Sequence, residues 1–107
     1  MHPTVKALLT EKAASIATLC ELYGVDRLLL IGSALGEQWD ESNSDLDFVA
    51  EFGPLPAGID PFTQFFKFQV DLERMLGLRV DLIERKAIRT PLFSARVDEM
   101  AREVYAA

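Results

Sequence analysis

The chain has 107 residues, of which 50% are hydrophobic and 26% are charged, and its net charge at pH 7 is −6. This length predicts one domain, residues 1–107, with a single hydrophobic core. The negative charge argues against a domain that grips a nucleic-acid backbone, and the longest apolar run, Leu28 to Ile31, is too short to cross a membrane. The start lacks a secretory pattern, and the single cysteine, Cys20, fits a reducing cytoplasm.

Residues 4–23 are predicted to form one helix. Its apolar residues recur at the spacing of one helical face: Val5, Leu8, Leu9, Ile16, Leu19, Cys20 and Tyr23. Thr4 is the expected N-cap, and Gly24 is placed to end the helix. Because Cys20 belongs to the apolar stripe, we expect it to pack in the core rather than act as a nucleophile. The only histidine, His2, lies in a terminus that is expected to fray.

Three strands and two more helices are predicted after Gly24. The strands are expected at 27–31, 45–52 and 78–84. Asp60 and Pro61 should begin a helix that ends before Gly77, and Thr90-Pro91 should begin a last helix that reaches Val104. This order predicts an α+β fold, close to the α/β class, in which helices pack on a small mixed sheet of about three strands. The first two strands should be antiparallel, and the second and third parallel.

Several aromatic and basic residues allow two interpretations. The phenylalanines of the second predicted helix, Phe62 and Phe65 among them, are expected in the core, whereas Phe68 lies off their stripe and fits a partner surface. Trp39 would either stack on a base or pack against the sheet. The basic cluster at 84–89 is either a solvated strand end or a contact for phosphate or a partner.

Two aspartates open the second strand, which is otherwise apolar. By alternation, Leu46 and Phe48 point to one face, and Asp45 and Asp47 point to the other. In the third strand, Asp81 has the parity of these aspartates. Three carboxylates on one face would repel each other, and hard cations such as Mg²⁺ take oxygen ligands of this kind. The pattern therefore indicates a metal site, although an Asp-x-Asp strand is more often simply a solvated face.

A glycine and a serine follow the first strand, next to the predicted acidic face. Gly32 lets a ligand approach the backbone, and Ser33 with the following turn offers a hydroxyl and N–H groups that suit a phosphate. Such a turn is usually only a turn. Beside three carboxylates, however, it supplies the second half of a phosphoryl- or nucleotidyl-transfer site.

The motif "IGS", the eleven residues 34–44, "DLDF" and the later "VDL" resemble the signature of the DNA polymerase β-like nucleotidyltransferase superfamily. The small size and the "SDLD" form are most similar to its minimal nucleotidyltransferase group. The resemblance implies that Asp45, Asp47 and Asp81 are catalytic and bind two Mg²⁺ ions, for which Mn²⁺ can substitute. It also implies that the nucleotide is bound by Gly32, Ser33, Gly36 and Ser44.

The resemblance further implies the transfer of a nucleoside monophosphate, AMP from ATP, to a hydroxyl on a small helical HEPN-type protein. The chain would then be the antitoxin of a toxin–antitoxin pair. The alternative is a weak or inactive module that neutralises such a partner by binding alone. Its support is a departure from the family pattern, since only two residues separate Ser33 from Gly36 and the loop that follows is acidic. Whether the protein forms a homo-oligomer stays open.

Overall fold

A mixed four-stranded sheet forms the centre of the computed structural model, which describes all 107 residues. The strands are β1 (Val25–Ile31), β2 (Leu46–Phe52), β3 (Val80–Glu84) and β4 (Arg102–Ala106), in the spatial order β3-β2-β1-β4. β1 is antiparallel to β2 and β4, whereas β2 and β3 are parallel. The predicted α+β class and strand directions are confirmed, but the sheet has one strand more than expected.

The additional strand, β4, occupies residues that were predicted to extend the last helix. That helix ends at Met100, and the chain continues extended from Ala101. β4 pairs with the otherwise open edge of β1, where it satisfies backbone groups that would lack partners. An ion pair of 2.9 Å between the Arg27 Nε and the Glu103 carboxylate joins the two strands. The prediction that the helix reaches Val104 was therefore wrong.

Four helices accompany the sheet. They are α1 (Pro3–Glu11), α2 (Ala13–Tyr23), α3 (Pro61–Leu76) and α4 (Pro91–Met100). Asp60 caps α3 by accepting from the Thr63 N–H at 2.8 Å, and Gly77 ends it at a φ of 69°, as predicted. None of the helices has both the length and the apolar character that a bilayer-spanning segment needs.

The predicted helix over 4–23 is two helices that meet at Lys12. The Thr10 hydroxyl donates to the carbonyl of Lys6 at 2.8 Å, a type of bond that often bends helices. The N-cap is not Thr4, because His2 Nδ1 accepts from the Thr4 N–H at 3.2 Å. The His2 N–H also donates to the Ala34 carbonyl at 2.8 Å. The terminus is therefore held against the body of the protein rather than frayed.

The two faces of the sheet are covered unequally. One face, with Phe48 of β2, belongs to a cluster of 18 buried residues that includes side chains of α1, α2 and α3. The opposite face carries a cluster of three buried residues, Leu29, Val49 and Val97, of which Val97 comes from α4. Cys20 is buried in the large cluster, and burial raises the pKa of its thiol to about 12, which confirms its assignment to the core.

The phenylalanines of α3 are distributed differently from the prediction. Phe68 is fully buried, so its assignment to a partner surface was wrong, whereas Phe62 is 71% exposed. The buried stripe of α3 includes a polar residue, Gln64, whose Nε2 donates to the Tyr23 carbonyl at 2.8 Å. Because an amide with a partner can be buried, the stripe continues from Gln64 through Phe68 to Leu72. The buried face of α3 was misplaced because the prediction considered only apolar residues.

Candidate active site

A row of three paired residues lies at the end of the sheet where β1 stops and β2 and β3 begin. Asp47 on β2 pairs with Ile31 on β1 at one side and with Asp81 on β3 at the other. In parallel strands, residues in register project to the same face, so Asp47 and Asp81 stand next to each other. The structure thus brings together these two predicted site residues, which are 34 positions apart in the sequence.

The Gly32–Leu35 turn lies directly against Asp47. This 3₁₀ turn follows Ile31, and Gly32 adopts a φ of 78°, in the region that favours glycine. A Cβ at Gly32 would collide with the Asp47 carboxylate oxygen Oδ2. Glycine is therefore required here both by the backbone conformation and by the close approach of the carboxylate.

The charges of the site act on Asp47 most strongly. Its side chain is half-buried, and burial is the main reason that its pKa lies above the ordinary value. Repulsion from Asp81 and then from Asp45 raises this pKa further. Asp81 and Asp45 are thus close enough to Asp47 to oppose its ionisation, and a cation among the three carboxylates would relieve that repulsion.

Asp45 stands at the edge of this group and is paired with a cation of the chain itself. Its Oδ1 lies 2.9 Å from Arg79 Nε, and the Arg79 Nη2 donates to the Asn43 carbonyl at 3.2 Å. As the side chains stand, no three histidine, cysteine or acidic residues are arranged to hold a metal ion together. The donor set fits a hard divalent cation by its chemistry, since three carboxylates share one face. Asp45 would have to leave Arg79 to contribute.

The other predicted nucleotide ligands have different surroundings. Ser33 is exposed at the start of the turn, and Gly36 ends the turn with open space where a Cβ would be. The Ser44 hydroxyl accepts from the Asp40 N–H at 3.1 Å, and the Ser44 N–H donates to the Asp40 carbonyl at 2.7 Å. Ser44 therefore closes the 40–44 loop on itself, whereas Ser33 keeps an exposed hydroxyl.

Trp39 packs beneath the loop rather than over the site. It is buried, its Nε1 donates to the Asp45 carbonyl at 3.2 Å, and its ring meets that of His2 edge to face. Of the two interpretations of Trp39, packing is the one that the structure bears out.

In the basic cluster at 84–89, Arg85 is bound to Ser94 at 2.9 Å and to Asp98 at 2.8 Å, so it holds α4.

A cleft of about 510 Å³ lies between the Gly32–Leu35 turn and α4. Its lining includes Gly32, Ser33 and Gly36 on one side, and Phe93, Arg96 and Met100 on the other. These α4 residues were missed by sequence reasoning, which named no site residue on the last predicted helix. Their spacing of three and four residues did indicate one common face. Only the packing of α4 on the aspartate face of the sheet places Phe93, Arg96 and Met100 opposite the Gly32–Leu35 turn.

Asp45 directly before β2, Asp47 on that strand, Asp81 on its parallel neighbour and a Gly-Ser turn against Asp47 form the arrangement expected of a nucleotidyltransferase site. The family model described as "Nucleotidyltransferase domain" matches residues 15–104, and the chain belongs to this family. It is a nucleotidyltransferase of the minimal type.

Curated relatives agree with this assignment. A predicted protein adenylyltransferase of Methanocaldococcus jannaschii is 37% identical over 82 residues, which cover 76% of this chain and 78% of the relative. The protein adenylyltransferase MntA of Thermococcus cleftensis is 32% identical over 90 residues, covering 78% and 86% of the two chains.

Solved structures share the fold. A predicted minimal nucleotidyltransferase superposes with a TM-score of 0.70 at 25% identity, over 95% of each chain. A toxin–antitoxin structure with AMP-PNP gives a TM-score of 0.66 at 16% identity, covering 89% of this chain and 73% of that one. A complex of a tri-AMPylated Shewanella oneidensis HEPN toxin with its MNT antitoxin gives a TM-score of 0.61 at 14% identity. This match covers 92% of this chain and 73% of that one. At these last two identities, the likeness concerns the fold alone.

Proposed function

We propose that this protein is a metal-dependent adenylyltransferase that moves AMP from ATP to a hydroxyl on a HEPN-type partner protein, and that it acts as the antitoxin of that pair. The observation that carries the proposal is the contact of the Gly32 turn with Asp47, beside Asp81 on the parallel strand. A phosphate-binding turn and a pair of carboxylates thereby face the same point. The names of the relatives and of the structural neighbours support the substrate and the partner.

In this proposal the chain supplies binding groups and a proton acceptor. Ser33 donates its hydroxyl to the triphosphate, and Gly32 and Gly36 leave room for the phosphates beside the backbone. Asp45, Asp47 and Asp81 hold Mg²⁺ or Mn²⁺, which when bound lowers the pKa of the attacking hydroxyl and neutralises the leaving pyrophosphate. Ser44 contributes by fixing the loop that precedes Asp45.

The transfer forms one bond and breaks another. The acceptor oxygen bonds to the α-phosphorus of ATP, the bond from that phosphorus to pyrophosphate breaks, and the hydroxyl proton passes to Asp81. Asp81 suits this role because it is the exposed member of the pair, whereas its neighbour Asp47 is half-buried. The partner's hydroxyl therefore has access to Asp81 from solvent.

A second candidate is a binding module that neutralises the partner without transfer. The pairing of Asp45 with Arg79 favours it, as does the short spacing from Ser33 to Gly36, because both depart from a prepared metal–phosphate site. Retention of all three carboxylates favours the enzyme.

The two candidates differ in a mass measurement. The protein is incubated with ATP labelled on the α-phosphate, Mg²⁺ and a candidate HEPN-type protein from the same organism, and the intact mass of that candidate is recorded. If the protein is an enzyme, the partner should gain the mass of AMP, and it should gain none when EDTA is present during the incubation. Neutralisation of the partner with no added mass would replace the enzyme by the binding module.

A further inference from the structure

The cleft beside the Gly32 turn contains one charged residue, Arg96. It lies on the face of α4 that also carries Phe93 and Met100, and it lines the same cavity as Ser33. The other cleft residues are apolar or uncharged. A ligand seated against Ser33 in this cleft would therefore meet a single full positive charge.

The neighbouring arginines are already paired. Arg79 is held by Asp45, and Arg85 is held by Asp98. None of the five ion pairs of the structure includes Arg96, whose side chain is exposed. Arg96 is therefore the cation that both lines the cleft and has no ion-pair partner, so its guanidinium is free to bind an incoming anion.

The loop on the other side of the cleft cannot supply a positive charge. The segment from Gly36 to Ser44 carries Glu37, Asp40 and Glu41 and no basic residue. Glu37 lies between two cleft residues, Gly36 and Gln38, so its negative charge would weaken the binding of a triphosphate held at Ser33. A guanidinium in the same cleft offsets that repulsion and can hold two phosphate oxygens with paired N–H donors.

We infer that Arg96 is the phosphate-binding cation of this site and that it takes the place of basic residues that the turn and loop lack. The inference rests on the proposed function, because it deepens the account of how the triphosphate is held. It makes α4 part of the nucleotide site and gives the helix a role besides covering Leu29 and Val49.

Isothermal titration with Mg²⁺ and AMP-PNP tests the inference on three variants. Arg96→Ala should weaken binding by roughly tenfold or more, the effect of losing a charge-assisted contact. Arg96→Lys should keep part of the affinity, since it retains the charge without the fork of donors. The matched control is Arg74→Ala, which removes an exposed arginine of α3 that lies outside the cleft and in no ion pair and should bind like the unchanged protein.

Two further readouts separate a phosphate contact from a structural effect. The melting temperature of the nucleotide-free protein should be the same with and without Arg96, and binding of adenosine, which has no phosphate, should not change. Equal affinity of Arg96→Ala and the unchanged protein for AMP-PNP overturns the inference and leaves the proposed function in place. An equal loss of adenosine binding also overturns it. If AMP-PNP binding depends on Arg96 but no AMP is transferred to the partner, the proposed function is overturned and the inference about Arg96 stands.

Discussion

The two faces of the sheet differ in what they contribute, although both are built from the same strands. Phe48 points to the face with the 18-residue core, whereas its neighbour Asp47 points to the face with only three buried residues. Alternation along β2 thus separates a side chain that stabilises the fold from one that faces the site. Asp47 is tolerated on an inner strand because α4 covers only part of that face. The opposite face supplies the stability that offsets the repulsion of Asp47 by Asp81 and Asp45.

The largest effect is expected from the core side of this comparison. Phe48→Ala should reduce the free energy of unfolding by roughly 3–5 kcal/mol, because it empties a fully buried aromatic site. Val97→Ala, on the other face, should cost much less, since its cluster is small. Urea unfolding of both variants, with unchanged m-values, measures the difference. Equal costs would mean that the α4 face stabilises the fold as much as the other face does.

The next effect concerns chemistry rather than stability. Asp81→Asn should lower the rate of AMP transfer by on the order of a hundredfold or more, because the lost carboxylate acts mainly in the transition state. Nucleotide binding, partner binding and the melting temperature should change little, since Asp81 is exposed and in no ion pair. Rates from labelled ATP and complex formation by gel filtration check both parts. A mutant that still transfers AMP at the normal rate would remove Asp81 from the catalytic group.

Two glycines of the turn provide a smaller, matched comparison. Gly32→Ala should destabilise the protein by roughly 1–2 kcal/mol or more, because alanine is strained at a φ of 78° and its methyl meets the Asp47 carboxylate. Gly36→Ala should stay within about 0.5 kcal/mol, since its φ of −120° suits any residue and the space is open. Denaturation of both variants tests this difference. A similar loss in both would show that the contact of Gly32 with Asp47 matters little.

The smallest effect is a pH dependence without metal. The raised pKa of Asp47 means that the folded state holds this proton more tightly than the unfolded state. Its contribution to stability is therefore complete below the ordinary aspartate pKa and is lost as the pH rises through the raised pKa. With EDTA at neutral pH, Asp47→Asn should be at least as stable as the unchanged protein, and any advantage should shrink as the pH falls. An advantage that grows in acid would contradict the assigned shift.

The comparison of the faces also explains what the sequence could and could not predict. The parity of Asp45, Asp47 and Asp81 follows from alternation within single strands, so it could be read locally. The position of β4 could not, because it depends on the open edge of β1, more than 70 residues earlier. The cleft residue Arg96 was hidden for the same reason, since nothing near it in the sequence tells which face α4 covers. The buried stripe of α3 was misplaced because Gln64 is polar but has a buried partner.

The measurement that tests the central claim most directly is the titration of Mg²⁺ with AMP-PNP into Asp47→Asn and Glu51→Gln. Both residues lie on β2 with the same parity, but Glu51 is at the far end of the strand and pairs with Arg27. If the Asp47 end of this face binds the metal and the nucleotide, Asp47→Asn should lose the Mg²⁺-dependent part of the affinity, and Glu51→Gln should keep it. Unchanged Mg²⁺-dependent binding in Asp47→Asn, in a protein that remains folded, would contradict the assignment of the site to this face.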